Sequence, residues 1–188
     1  MLTLNFALQD PVDGKNYASI LTALNAVNSV GSITLSSPRM SDPPVVDPAY
    51  LSHPADREMM IAGFKRNRQA WATLGPILAS NDELVPGFNV TSDEQILKFI
   101  EGSIKPVDHS MASNRMGKAR DPRAVVDTKG RVYGVRGLRV VDASVFPFLL
   151  PGHIQASVYM LGEKIAEDIL KGNRVKGYYG AGNKTLAY

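Results

Sequence analysis

The side chains best suited to proton transfer in this sequence are two histidines, His109 and His153. Histidine is the residue type that titrates nearest neutrality, so a pair of them can accept and donate a proton at working pH. His109 opens the segment His109-Ser-Met-Ala-Ser-Asn-Arg-Met-Gly117, and His153 ends a Pro-Gly-His run directly before an amphipathic helical pattern. The two segments therefore predict an acid–base site assembled from separate parts of the chain.

The third histidine, His53, lies in Ser-His-Pro-Ala-Asp before a helical pattern, where a surface or capping role is expected. The histidines lack the i, i+4 spacing of a zinc site, and the chain has no cysteine, so no metal site is predicted. The basic residues are scattered and the net charge is only +3, which argues against nucleic-acid binding. No secretory leader and no apolar run of roughly 18 residues is found. A cytoplasmic protein is expected.

A series of motifs runs through the second half of the chain. After the His109 segment come Val125-Val-Asp127, then Arg131-Val-Tyr-Gly-Val-Arg-Gly-Leu-Arg-Val-Val-Asp-Ala-Ser144, and then Pro151-Gly-His153. In order and content they resemble the C-terminal, substrate-binding domain of the glucose-methanol-choline (GMC) oxidoreductases. The likeness is strongest to the fungal secondary-metabolism branch that includes the patulin and versicolorin B synthases. No Gly-x-Gly-x-x-Gly follows a strand, so the N-terminal FAD-binding Rossmann half is expected to be lacking.

The resemblance implies roles for particular residues. His153 and His109 would face the reacting group, one taking a proton and the other hydrogen-bonding the same oxygen, and which residue does which stays open. Asp142, Ala143 and Gln155 would contact FAD only if a flavin is bound, and no cofactor is expected on this chain alone. Further side chains around the histidines are expected to line a substrate pocket. They are Met111, Asn114, Arg115, Phe146, Phe148, Gln155 and Tyr159.

The expected fold class is α+β, a mainly antiparallel sheet flanked by helices, as in the GMC C-terminal domain. A single domain is expected over 1–172, with a glycine-rich tail over 173–188. The first helix is predicted to begin with Asp56 as its N-cap, and the second with a capping box of Thr91 and Glu94. Helices are predicted near 56–78, 92–103 and 155–171, strands over 1–7, 32–36, 131–135 and 138–141, and a surface loop over 38–54.

Three functions are compatible with these features. The first is a cofactor-free acid–base enzyme, a cyclase or isomerase that closes a ring on a small, apolar, oxygenated natural product. The second is the substrate half of an FAD-dependent alcohol oxidoreductase, completed by a separate flavin-binding chain. The third is a non-catalytic binding protein or a remnant. A half-fold exposes apolar surface, so a homodimer is expected under each of them.

Overall fold

The chain divides into two units, Met1–His109 and Ser110–Tyr188, and each is described by itself. The computed structural model describes residues 2–4, 17–75, 78, 80 and 82–175. The single domain predicted over 1–172 stays a prediction. Of the tail predicted over 173–188, the first three residues continue a helix and the others lie outside the described residues.

The first unit contains two small antiparallel sheets. Their strands are β1 Leu2–Leu4, β2 Ala23–Leu24, β3 Ser32–Thr34, β4 Val45–Asp47 and β5 Ile104–Pro106. In one sheet the central strand β1 pairs on both sides, and its Thr3 lies opposite Ala23 of β2 and Lys105 of β5. The other sheet is a hairpin of β3 and β4, whose residues are all exposed. The strand β4 falls inside the stretch predicted as a loop over 38–54.

The first helix, α1 (Pro54–Leu74), begins at a histidine cap. His53 accepts a hydrogen bond from the backbone N–H of Ala55 at its Nδ1 atom, 3.2 Å away, and a proline occupies the first helical position. The capping role expected for His53 is therefore confirmed. The prediction of Asp56 as the N-cap is wrong, because the carboxylate of Asp56 binds a different part of the chain.

Asp56 has no exposed surface, and its carboxylate accepts hydrogen bonds from the segment before β3. The backbone N–H groups of Asn28 and Ser29 donate to it at 3.0 and 2.7 Å, and both of their side chains donate as well. Burial raises the pKa of this carboxyl, but the hydrogen bonds from Ser29 and Asn28 outweigh burial and hold the pKa below its ordinary value. Asp56 thus fixes α1 to the chain that leads into β3.

The second helix, α2 (Asp93–Ser103), begins with a capping box one residue later than predicted. Ser92 Oγ accepts from the backbone N–H of Gln95 at 3.2 Å, and Gln95 Oε1 accepts from the backbone N–H of Ser92 at 3.0 Å. The predicted box of Thr91 and Glu94 is wrong, because Gln95 occupies the third helical position and its side chain reaches back to the cap.

The core of the first unit lies between α1 and α2. The ring of Phe64 on α1 meets that of Phe99 on α2 edge to face, with centroids 5.9 Å apart, and the Arg68 guanidinium lies 4.6 Å above the Phe64 ring. Trp71 is half-buried further along α1. A side chain at Gly63 would overlap the Thr22 methyl group, so glycine permits α1 to approach the chain before β2. The buried core residues are Leu24, Leu51, Met60, Phe64, Ile96 and Ile100.

The described part of the second unit contains one long helix, α3 (Gln155–Val175). It confirms the closing helix predicted near 155–171 and extends it. Around it the described chain consists mainly of turns, with a short 3-10 helix, Ala143–Val145. The strands predicted over 131–135 and 138–141 are wrong, because this region makes only isolated bridges, such as Arg131 with Arg139. Gly134 and Gly137 both have positive φ angles, which turn the chain before a ladder can continue.

Apolar side chains at helical spacing on α3 cover the turns of the second unit. Leu161 and Ile165 lie one helical turn apart and are buried against the 3-10 helix and the Val126 region. Asp168 of α3 accepts from Lys129 Nζ at 2.7 Å and from Arg139 Nη1 at 3.0 Å. The buried core residues are Val126, Val145, Phe146, Leu161 and Ile165.

The helices of both units and the antiparallel sheets of the first unit confirm the predicted α+β class. Across the described residues, no helix combines the length and apolar character needed to cross a membrane.

Candidate functional site

The segment after His109 and the segment after Asp142, which lie about 30 residues apart, are joined by backbone hydrogen bonds in the second unit. The N–H of Ala112 donates to the carbonyl of Ala143 at 3.4 Å, that of Asn114 to Ser144 at 3.0 Å, and that of Met116 to Val145 at 2.8 Å. The fold therefore brings together two of the motifs on which the resemblance rests. Ala112 has a φ of 69°, which is uncommon for alanine and indicates strain in this segment.

A chain of side-chain hydrogen bonds reinforces this junction. Asn114 Nδ2 donates to Ser144 Oγ at 3.0 Å, and Ser144 Oγ donates to Asp142 Oδ1 at 2.5 Å. Asp142 Oδ1 also accepts from the Ser144 N–H at 2.8 Å and so caps the 3-10 helix. The role of Ser144 was missed from the sequence, although the Asp-x-Ser spacing is typical of an aspartate turn.

Two local features position the backbone before His153: a hydrogen bond to the sulfur atom of Met111 and a left-handed turn at Gly152. The backbone N–H of Leu150 donates to Met111 Sδ at 3.2 Å. Gly152 follows with a φ of 77°, in the left-handed region, and delivers His153 to an exposed position. Gln155 is the first residue of α3 and is also exposed.

His109 is half-buried and is the last residue of the first unit. Asp108 before it has a φ of 55°, so the backbone also enters this motif through a left-handed residue. Burial, and to a smaller extent the negative charge of Asp108, raise the pKa of the Tyr50 phenol. The convergence of His109 with His153 on one substrate stays a prediction.

The predicted pocket residues lie in different environments. Met111 is partly buried against the hydrophobic core of the second unit, and Phe146 is part of that core. Phe148 and Tyr159 are 63% and 70% exposed. Arg115 is half-buried, with its Nη2 atom 3.8 Å from a carboxylate oxygen of Asp121. A substrate pocket made by these residues stays a prediction.

Two shallow grooves of the second unit lie elsewhere. They have volumes of about 280 and 1040 Å³, and Lys129, Asp168 and Lys171 line both. None of the predicted site residues lines either groove. Since neither His109 nor His153 lines a groove, the motif residues rather than the grooves define the candidate site.

The C-terminal family model described as GMC oxidoreductase matches residues 27–162 of this chain. The match includes both histidine motifs, the Asp142 segment and the start of α3. The chain belongs to the GMC oxidoreductase family. The predicted resemblance is therefore confirmed.

Fungal relatives support the same assignment. Dehydrogenase pkfF of Emericella nidulans is 51% identical over 161 residues, or 86% of this chain and 26% of the relative. Versicolorin B synthase stcN of the same organism is 46% identical over 163 residues, covering 86% of this chain and 25% of the relative. Patulin synthase of Penicillium expansum is 44% identical over 167 residues, covering 88% of this chain and 26% of the relative. The chain thus spans about a quarter of the length of the curated relatives it matches.

The fold agrees with a solved member of the family. An FAD-dependent oxidoreductase from Chaetomium thermophilum superposes with a TM-score of 0.69 at 32% identity, over 77% of this chain and 25% of that protein. This GMC C-terminal domain is therefore similar in both sequence and structure to part of a longer flavoenzyme.

Proposed function

We propose that this chain supplies the acid–base histidines of a GMC-type enzyme that acts on a small, apolar, oxygenated natural product. The observation that carries the proposal is His153, exposed at the turn before α3 and set in a motif that the family match covers. An imidazole can take a proton from a hydroxyl group or, when protonated, donate a hydrogen bond to a carbonyl oxygen. In this proposal His109 binds the same substrate oxygen, so the two histidines share the roles of base and anchor.

The first chemistry proposed for this pair is ring closure or isomerisation without a cofactor. A protonated imidazole polarises a carbonyl and stabilises the negative charge that develops on its oxygen as a ring closes. The second imidazole accepts the proton released by the attacking hydroxyl group, so no electrons leave the substrate. Similarity to versicolorin B synthase, a relative named for the product it forms and not for an oxidation, supports this proposal.

The second chemistry is flavin-linked oxidation of an alcohol, supported by the similarity to a dehydrogenase and to an FAD-dependent oxidoreductase. The residues that would hold FAD are Asp142, Ala143 and Gln155. The position of Gln155 fits a group rich in acceptor atoms, because Gln155 is exposed at the start of α3, where the first backbone N–H groups have no carbonyl partner within the helix. Asp142 is an acceptor and would suit the hydroxyl groups of such a cofactor instead. When bound, FAD supplies a hydride acceptor, and the histidines then take and hold the alcohol proton.

An absorbance spectrum of the purified chain, with and without added FAD, separates the two chemistries. Flavin bands that stay with the protein through gel filtration would support alcohol oxidation on this chain. Bands that appear only with an added flavin-binding chain would support the two-chain form. A protein that takes up no FAD under either condition would favour the cofactor-free cyclase.

Substitution of the histidines tests the common part of the proposal. With small oxygenated aromatic alcohols and enones as probes, His153→Ala and His109→Ala should each lower turnover about 100-fold or more, the usual contribution of a general acid or base. His53→Ala is the matched control, because His53 caps α1 and should change stability but not turnover. Unchanged turnover in both of the first two variants would contradict the histidine roles and favour a non-catalytic protein.

A homodimer is also part of the proposal. The hairpin of β3 and β4 carries exposed apolar side chains, among them Ile33 at 55% and Leu35 at 86% exposure, which supports self-association. Sedimentation velocity over a range of protein concentrations tests it, and a monomer throughout that range would contradict it.

A further inference from the structure

The loop between the 3-10 helix and α3 carries His153, and it is anchored at its first end by Asn114. The Asn114 backbone donates to the carbonyl of Ser144, and the Asn114 side chain donates to the Ser144 hydroxyl, both at 3.0 Å. Two bonds between the same pair of residues fix the direction in which the loop leaves the 3-10 helix. Other interactions must fix the part of the loop between Ser144 and His153.

The second support is the thioether of Met111. Leu150 donates its backbone N–H to Met111 Sδ at 3.2 Å, three residues before His153. Both side chains pack against the hydrophobic core of the second unit, so the sulfur atom is held in place by its surroundings. Sulfur is a weak acceptor, and leucine in its place would fill similar space without accepting a hydrogen bond.

The third support is the left-handed backbone of Gly152, the residue immediately before His153. Its φ is 77°, and a Cβ atom built on it would meet nothing within 4 Å. Space therefore does not require glycine here, but the backbone conformation does, because L-residues with a side chain disfavour this region. Pro151, whose ring restricts φ, precedes it and limits the other ways in which the chain could turn.

We propose that Met111 and Gly152 are positioning residues that set the direction of the His153 imidazole. This inference rests on the proposed function for the role of His153, and it concerns how the fold presents that side chain. Met111 holds the backbone of Leu150 close to the core of the second unit, and Gly152 sets the backbone turn between Leu150 and His153. Met111 would then act through the backbone of Leu150 and not as a wall of a substrate pocket.

The test follows the His153 ring by NMR in the full chain with isotope-labelled histidine, with signals assigned from His53→Ala, His109→Ala and His153→Ala. Gly152→Ala should shift the balance between the left-handed turn and other conformations by a factor of about 5 to 30. The His153 ring signals should then move or broaden, while those of His53 stay unchanged. Met111→Leu should produce a smaller change in the same signals. Gly152→Asn should restore them towards wild type, because asparagine tolerates this backbone region.

Gly137→Ala is the matched control, since Gly137 has a φ of 79° and is equally free of neighbours within 4 Å. It should lower the unfolding temperature about as much as Gly152→Ala and leave the His153 signals unchanged. Unchanged His153 signals in both Gly152→Ala and Met111→Leu would overturn the proposal, as would an equal change in Gly137→Ala. Failure of the proposed function would appear separately, as retained turnover in His153→Ala.

Discussion

The two units of this chain are stabilised in different ways. The first contains two helices whose aromatic rings meet in a core, and a buried carboxylate that fixes one helix to the chain before a strand. The described part of the second has one long helix, and the motif segments around it are joined by a few hydrogen bonds between turns. The comparison indicates that the candidate site lies mainly where local structure is least regular. Such regions rely on a few long-range contacts to stay ordered.

The largest effect on stability is expected from Asp56→Ala in the first unit. The substitution leaves the backbone donors of Asn28 and Ser29 without their acceptor, so the free energy of unfolding should fall by about 4 kcal/mol, roughly 2 kcal/mol for each unpaired N–H. Urea unfolding followed by tryptophan fluorescence measures it. Asp93→Ala is the control, because its exposed ion pair with Lys65 should contribute less than about 1 kcal/mol. If Asp56→Ala and Asp93→Ala lowered the free energy of unfolding by similar amounts, the buried carboxylate would contribute no more to stability than the exposed one, which would contradict the prediction.

The same carboxylate gives the first unit a defined dependence on pH. Its folded pKa lies below the ordinary value, so it contributes stability above the unfolded pKa of about 3.9, and that contribution is lost as pH falls through the folded pKa. Wild type should therefore lose more stability than Asp56→Asn between neutral and strongly acidic pH. Parallel curves for the two proteins would contradict this role of Asp56.

A smaller loss, about 3 kcal/mol, is expected from Ile165→Ala in the second unit. Ile165 is 1% exposed on α3 and packs against the turns that join the motif segments. Ile169→Ala, one helical turn later and 39% exposed, should cost less than about 1 kcal/mol. Denaturant unfolding followed by circular dichroism measures both variants. Equal effects would mean that the core of the second unit is less well packed than its buried residues indicate.

The smallest effect is expected from Asp168→Asn, which weakens the link between α3 and Lys129 and Arg139. Hydrogen bonds from Lys129 and Arg139 lower the pKa of Asp168, so the charged form is the one that the fold favours. The substitution should lower the unfolding temperature slightly, and the difference from wild type should shrink at high salt, because these charges are partly exposed. Glu167→Gln is the control for a pair between two more exposed side chains, Glu167 and Lys171.

Periodicity in the sequence predicted the three α-helices found among the described residues, but it was less accurate about where they begin. The first two predictions placed the caps at Asp56 and Thr91, but the residues that cap are His53 and Ser92. Local rules favour aspartate at a helix start, and they cannot indicate that Asn28 and Ser29 hold this carboxylate from 27 or more residues away. The strands predicted over 131–135 and 138–141 were wrong for a related reason, since Gly134 and Gly137 turn the chain and interrupt the apolar alternation.

The motifs predicted the family, while the contacts between them could not be derived from spacing. Asn114 was expected to line a pocket, and the structure places its amide on Ser144. Met111 was expected in the same pocket, and its sulfur binds the backbone of Leu150, 39 residues along the chain. Such pairs depend on how turns pack, and no repeating pattern of residue types encodes them.

The position of the single tryptophan makes the two units separable by spectroscopy. Trp71 lies on α1, so its fluorescence reports the surroundings of the first unit, while far-ultraviolet circular dichroism receives its signal from α1, α2 and α3 together. In one denaturation experiment, coincident transitions would identify a single cooperative unit, as predicted over 1–172. A fluorescence transition displaced from the dichroism transition would assign the difference to α3 and its turns. The wild-type chain therefore allows unfolding of the first unit to be followed separately without an added fluorescent label.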